Sequence, residues 1–155
     1  MSAEFSGTKD VTVDGAGRIK LPSSFRKVFE ENAFGPDVVV AYRVLNGQGF
    51  LMLYPERAWK RSLESLSDQP GLSALEIETI RRKLNRQSEM AVMDRQGRVL
   101  LPRRFTELSG LLSGTEAALV GAGNRIEVWN AGVVDRLLDD TSLDDEKIAS
   151  VLNGR

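Results

Sequence analysis

The 155-residue sequence contains no cysteine and no histidine, and these two gaps remove whole chemistries. Disulfides and zinc sites of the Cys/His kind are excluded. Ser-His-Asp triads, Cys-His nucleophiles and histidine general bases are equally beyond this chain acting alone. Long apolar runs are missing too. VVVAY (38–42) and AALVGA (117–122) fall far short of the ~20 residues that cross a bilayer as a helix, so no membrane partner is expected. The opening MSAEFSGTKD has neither the basic nor the apolar segment of a secretory signal, and a cytoplasmic location is the expectation. The net charge is −1 and the pI about 5.6, unlike the pI above about 9 that marks an openly basic nucleic-acid binder.

What is present describes an ordinary folding chain, with 41% hydrophobic and 28% charged residues. Its length suits one domain, or two small ones sharing a core. The charge is segregated along the chain. Residues 81–104 carry eight Lys/Arg against Glu89 and Asp94, a local +6, whereas residues 135–155 are locally −3.

One motif occurs twice. VTVDGAGRIKLPSSF (11–25) and AVMDRQGRVLLPRRF (91–105) match without a gap at an offset of 80, sharing Asp, Gly, Arg, Leu, Pro and Phe. VVVA (38–41) falls on ALVG (118–121) at the same offset, and LMLYPERAWKRSL (51–63) on IEVWNAGVVDRLL (126–138) at 75. The order of signals is the same in each copy, which points to a tandem duplication. Val11 and Val13 alternate with polar residues, DGAGR follows, and Ile19 and Leu21 alternate again, a pattern that predicts a β-hairpin. Gly15 and Gly17 are expected to supply positive φ in the first turn, and Gly97 in the second. Pro22 and Pro102 suit the first helical position, and Phe25, Val28 and Phe29 share one face of the helix that follows. Two further strands and a helix complete each copy. Between the copies, SDQPG (67–71) is a breaker, and Ser73 with Glu76 has capping-box spacing at the start of a basic connector helix, about 73–88.

Each copy is only about 50 to 60 residues long, a size at which one hydrophobic core is marginal, so the halves are expected to fold together across a pseudo-two-fold axis. The simplest role for Asp14 with Arg18, and for Asp94 with Arg98, is an ion pair across the turn that holds strand register. A carboxylate that orients a guanidinium also leaves its other donors pointing outward, ready for phosphate or the O6/N7 edge of guanine. Gly17 and Gly97 permit close approach of the backbone to a ligand. Trp59, Trp129 and Tyr54 could serve as base-stacking platforms, but their places beside apolar strand residues, and an aromatic content of only 6%, favour core packing.

At these residues the sequence resembles the MraZ family, tandem AbrB/SpoVT-like transcriptional regulators encoded at the head of bacterial division and cell-wall gene clusters. The resemblance spans about residues 5–138. It rests on Phe5-Ser6-Gly7, DGAGR with its Leu-Pro, FLMLYPERAW, Arg81-Arg82, DRQGR with its Leu-Pro, and LVGAGNRIEVW. It implies an α+β fold: two swapped-hairpin-type repeats, 5–66 and 89–138, forming one pseudo-two-fold β-barrel with peripheral helices. The segment 67–88 would be the linker with its connector helix. Residues 139–155 lie beyond the resemblance and are expected to form an acidic tail that is either disordered or screens the basic surface. The resemblance further implies a ring-like homo-oligomer, associated with the nucleoid, that binds double-stranded DNA at short direct repeats upstream of the cluster. The DNA-contacting residues carried over are Asp14, Gly15, Gly17, Arg18 and Lys20 in the first copy, and Asp94, Arg95, Gly97 and Arg98 in the second. Relatives often carry Lys before the first Gly-Arg, where this chain has Ala16, and Arg95 is expected to compensate in the second turn. The Arg that relatives place four residues after the second Pro is Thr106 here, while the first copy keeps Arg26. Unequal DNA contacts from the two halves are therefore expected.

Two alternatives compete with this reading. In one, the chain is a ring-forming protein-interaction module whose turns are structural. In the other, Asp14 and Asp94 form a paired-carboxylate metal site of an enzyme. The Arg beside each carboxylate favours a neutralised pair over a divalent-cation site. No cofactor, metal or small-molecule substrate is expected, and no catalysis.

Overall fold

The computed structural model describes residues 3–139 and 145–153. Among the described residues there are eight strands and six α-helices, and the eight strands and four of the helices follow the duplicated order. In the first copy these are β1 (Thr8–Thr12), β2 (Arg18–Lys20), α1 (Ser23–Glu31), β3 (Asp37–Leu45), β4 (Gln48–Pro55) and α2 (Glu56–Glu64). A 3-10 turn, Ser65–Asp68, and α3 (Ala74–Arg86) lead into β5 (Ser88–Val92) and β6 (Arg98–Leu100). The remainder is α4 (Arg103–Ser109), β7 (Glu116–Gly121), β8 (Ile126–Asn130), α5 (Ala131–Asp139) and α6 (Asp145–Asn153).

Six strands form one antiparallel sheet in the order β1-β7-β8-β4-β3-β5, and β2 pairs with β6 as a separate ribbon. Exchanging the two copies reverses the sheet order and leaves every pairing intact, so the topology has an internal two-fold. The architecture is therefore mixed α+β with a large antiparallel sheet, but the expected barrel is not closed. β1 and β5 remain at the two edges, and the strands that could bridge them, β2 and β6, are three residues long and satisfy each other's backbone instead.

The expected hairpins are also corrected. β1 does not pair with β2, nor β5 with β6; β1 pairs with β7 of the other copy, and β5 with β3. The turn between β1 and β2 does form, but the strands leaving it diverge. Ile19 and Val99 meet as a fully buried pair in the β2–β6 ribbon, which a self-contained hairpin would not bring together.

Strand alternation distributes the apolar residues between two faces of the sheet. Val38, Val40, Leu51, Leu53, Leu119, Ile126 and Val128 enter the main core with Ile19, Leu21, Phe25, Val99 and Phe105. On the opposite face Val39, Ala41 and Tyr54 pack under α2, and Ala118 and Trp129 under α5. Burial on both faces explains the unbroken run VVVA at 38–41. Both copies contribute to the main core, as the marginal size of either alone requires.

α3 begins with the anticipated capping box. The Glu76 amide donates to Ser73 Oγ (3.1 Å), and the Ser73 amide to Glu76 Oε1 (2.9 Å). Pro22 and Pro102 stand one residue earlier than expected, as N-caps of α1 and α4. In the tail, residues 145–153 form α6, while 140–144 and 154–155 lie outside the described residues. Among the described residues no helix is long and apolar enough to cross a membrane.

Candidate nucleic-acid interface

The two Asp-x-x-Gly-Arg turns are near copies of each other. Asp14 Oδ1 accepts the amides of Ala16 (2.9 Å) and Arg18 (2.8 Å), and Oδ2 accepts Arg18 Nε (2.9 Å). In the second turn Asp94 Oδ1 accepts the amides of Gln96 and Arg98 (both 2.9 Å), and Oδ2 accepts Arg98 Nε (2.7 Å). The amide of Gly17 donates to the Asp14 carbonyl and that of Gly97 to the Asp94 carbonyl, each at 3.0 Å. This closure needs a left-handed residue at one place, which Gly17 (φ 84) and Gly97 (φ 83) fill. Gly15 is not in that region, contrary to expectation, because its position matches Arg95, where an ordinary L-residue fits.

The turn amides, led by that of Arg18, hold the Asp14 carboxyl below its ordinary value of 3.8, with the Arg18 guanidinium and the Ala16 amide adding to the effect. Asp94 is lowered in the same way, first by the Arg98 amide and then by its guanidinium and the Gln96 amide. Both carboxylates are thus charged acceptors at neutral pH. The side chains are about one third exposed, 35% and 36% for Arg18 and Asp14, 32% and 37% for Arg98 and Asp94. Only Nε of each arginine is engaged by protein among the described residues. The Nη groups therefore remain available as a pre-oriented fork of donors.

The β2–β6 ribbon places the turns side by side. Ile19 and Val99 point into the core, so Arg18, Lys20, Arg98 and Leu100 share the outer face. Each turn is also tied to the other copy: the Leu21 amide donates to the Gly97 carbonyl (2.8 Å), and the Leu101 amide to the Gly17 carbonyl (3.0 Å). The cross-strand register sets Lys20 opposite Arg98, and Leu100 opposite Arg18.

Arg26 is the residue whose place could not be read from the sequence. It belongs to α1 of the first copy but lies over the second turn: a Cβ on Gly97 would fall 2.5 Å from Arg26 Cδ and 3.0 Å from its Nε. Arg26, Asp94, Arg95 and Gly97 share the wall of a cleft of about 550 Å³. The cleft at the first turn, about 600 Å³, is lined by Gly15, Ala16 and Gly17 together with Leu100, Leu101 and Leu112. This placement follows from the pairing of strands between the copies, which the repeat alone does not reveal.

The aromatic residues are not base platforms. Trp129 is stacked on Phe50 with centroids 4.1 Å apart and donates through Nε1 to Glu127, and Tyr54 meets Trp59 edge to face. All four rings are buried. Among the described residues no three acidic side chains converge as a metal site.

The family described as "MraZ protein, putative antitoxin-like" matches residues 5–82. The transcriptional regulator MraZ of Chromobacterium violaceum is 35% identical over 151 residues, covering 94% of this chain and 95% of that protein. The protein of the same name from Thioalkalivibrio sulfidiphilus is 30% identical, covering 81% of this chain and 79% of its own length. A solution structure from Pyrococcus horikoshii covers 83% of this chain and 97% of its own at 13% identity, with a TM-score of 0.38. On the extent of the first of these similarities and the match across the first turn and its helices, the chain belongs to the MraZ family.

Proposed function

We propose that this protein is a transcriptional regulator that binds double-stranded DNA sequence-specifically and has no catalytic role. Its sites would be short direct repeats upstream of a division and cell-wall gene cluster, and it would act at the nucleoid as a ring-like homo-oligomer. The observation that carries the reading is the pair of superimposable turns on one outer face, each holding an arginine by Nε alone. DNA-binding roles fall to Asp14, Gly15, Gly17, Arg18 and Lys20, and to Asp94, Arg95, Gly97 and Arg98. The carboxylates orient, the glycines shape the backbone, and the cations make contact. Units 5–66 and 89–138 act as the two repeats and 67–88 as their connector. One subunit offers few contacts, so several subunits on phased repeats would gain affinity through effective concentration.

A second reading, a protein-interaction ring with purely structural turns, draws on the exposed Leu100 and Leu112 beside the first turn. The two separate in one experiment: fluorescence anisotropy against the protein's own upstream DNA and a scrambled duplex, over a salt series, with light-scattering mass in parallel. The DNA-binding reading expects a preference for the upstream duplex that persists near physiological salt, and its loss in the double variant Arg18→Ala/Arg98→Ala at unchanged mass. Equal binding of both duplexes by the unaltered oligomer would transfer the turns to a structural role.

A further inference from the structure

We propose that the two turns divide the work of DNA binding: the second clamps backbone phosphate, and the first reads base edges. This deepens the DNA-binding reading and rests on it. The Asp, Gly and Arg of the motif and their hydrogen bonds are the same in both turns, so any difference must come from the variable positions within each turn and from what the fold sets around it. At three positions the difference makes the second turn the more cationic.

The first is the residue after the aspartate, Arg95 in the second turn and Gly15 in the first. The second is the cross-strand partner of the motif arginine: Lys20 faces Arg98, whereas Leu100, 55% exposed, faces Arg18. The third is the residue that helix α1 or α4 delivers to the opposite turn. Arg26 packs its stem on Gly97, while the corresponding Thr106 is buried and turns its hydroxyl back to the Arg103 carbonyl (3.1 Å). Around the second turn Arg26, Lys20, Arg95 and Arg98 thus stand against Asp94 and Glu30. Around the first, Arg18 and Arg103 are matched by Asp14 and Glu107, and each forms an ion pair there.

Two features of the second turn ask for an anion. Like charges directly opposite on a two-stranded ribbon repel, and Lys20 against Arg98 is such a pair. Arg26, its stem packed over Gly97, joins Arg95 in the wall of the cleft beside that pair and adds a further cation. A phosphate with several acceptor oxygens answers both. The first turn has the opposite character. Arg18, oriented by Asp14, faces Leu100 across the ribbon, and the cleft at this turn is lined by Ala16, Leu100 and Leu112 with Arg103 held by Glu107, a setting that suits guanine O6/N7 next to a thymine methyl better than an ionic contact.

The test uses the full-length protein in a salt-series anisotropy titration with its own upstream duplex and a scrambled duplex. Arg18→Ala and Arg98→Ala break equivalent ion pairs, one in each turn, so their structural costs match and the readout compares surroundings. Arg26→Met keeps the stem over Gly97 without the charge, and Leu100→Lys gives the first turn the second's cation. Arg98→Ala and Arg26→Met are expected to weaken both duplexes alike and to flatten the salt slope by about 0.9 for each phosphate no longer neutralised. Arg18→Ala is expected to lower the preference for the upstream duplex by roughly tenfold with little change in slope. Leu100→Lys should steepen the slope and reduce the preference. Equal slopes and equal preferences for Arg18→Ala and Arg98→Ala would overturn the division of labour while leaving DNA binding in place. A wild-type protein that binds neither duplex would overturn the DNA-binding reading and this inference with it.

Discussion

Asp14 and Asp94 each organise five residues of backbone with one carboxylate, since the two oxygens take two amides and a guanidinium. Because these bonds are to the charged form, both folded carboxyls titrate below the ordinary 3.8. A depressed carboxylate contributes stability that is complete above the unfolded value and is lost as pH falls through the folded one. The melting temperature is therefore expected to drop as pH falls from about 5 to about 3. In the double variant Asp14→Asn/Asp94→Asn, which keeps one acceptor oxygen per side chain for the turn amides but loses the charge and the acceptor of the Arg Nε, that drop should be shallower. Thermal unfolding followed by circular dichroism across that range checks it; an identical pH profile in the variant would show that other carboxylates set it. The partial exposure of both pairs keeps the effect modest.

Among the elements, α3 depends most on its own sequence. None of its residues is fully buried; it lies against β5 and the turn that follows α2, and Leu84 touches the cluster of Val39, Ala41, Tyr54, Ala58 and Trp59. Ile77, Ile80 and Leu84 give it a half-buried stripe, as their spacing predicts. A helix so placed gains little from packing, and its reciprocal cap matters correspondingly more. Ser73→Ala should destabilise α3 by about 1 kcal/mol. Amide hydrogen exchange is the suitable measurement, because protection should fall in 74–86 while the main sheet is unchanged. Strands β2 and β6 behave in the opposite way. Three residues each, they have no hairpin stability of their own, and they persist because Ile19 and Val99 are fully buried together.

In the whole molecule the chain start ties the two halves. Phe5 is buried against Phe25 and Phe29, at centroid distances of 6.0 and 5.5 Å, and its amide donates to the Gly123 carbonyl at 2.8 Å. The strand passes so close over Gly121 that a Cβ there would overlap the backbone of Phe5 and Ser6. Phe5→Ala is expected to cost about 3 kcal/mol. Gly121→Ala should cost a similar amount by pushing the same segment off the core. Both act on one contact, so the double variant should lose less than the sum, and denaturant unfolding would measure that coupling. Full additivity would mean that Gly121 does not seat Phe5.

Much was legible without coordinates. The duplicated Asp-x-x-Gly-Arg turn, the Leu-Pro that ends each short strand and the capping box at Ser73 follow from local chemistry: side-chain hydrogen bonds within a few residues, and proline geometry. The sequence determined that there are two such turns and what each can offer by itself. It could not determine partners, because antiparallel pairing depends on which strands share a core, not on which are neighbours in the chain. The hairpins expected at 11–21 and 91–101 exchange partners for that reason, and the sheet stays open. Arg26, credited by the sequence to its own copy, is carried by the swap onto Gly97 of the other, and Lys20 and Leu100 are set opposite Arg98 and Arg18. Local hydrogen bonding made the two turns alike and the sequence already set Arg95 against Gly15, but only the tertiary structure, through the residues it packs beside each turn, decided which turn receives Arg26, Lys20 and Leu100.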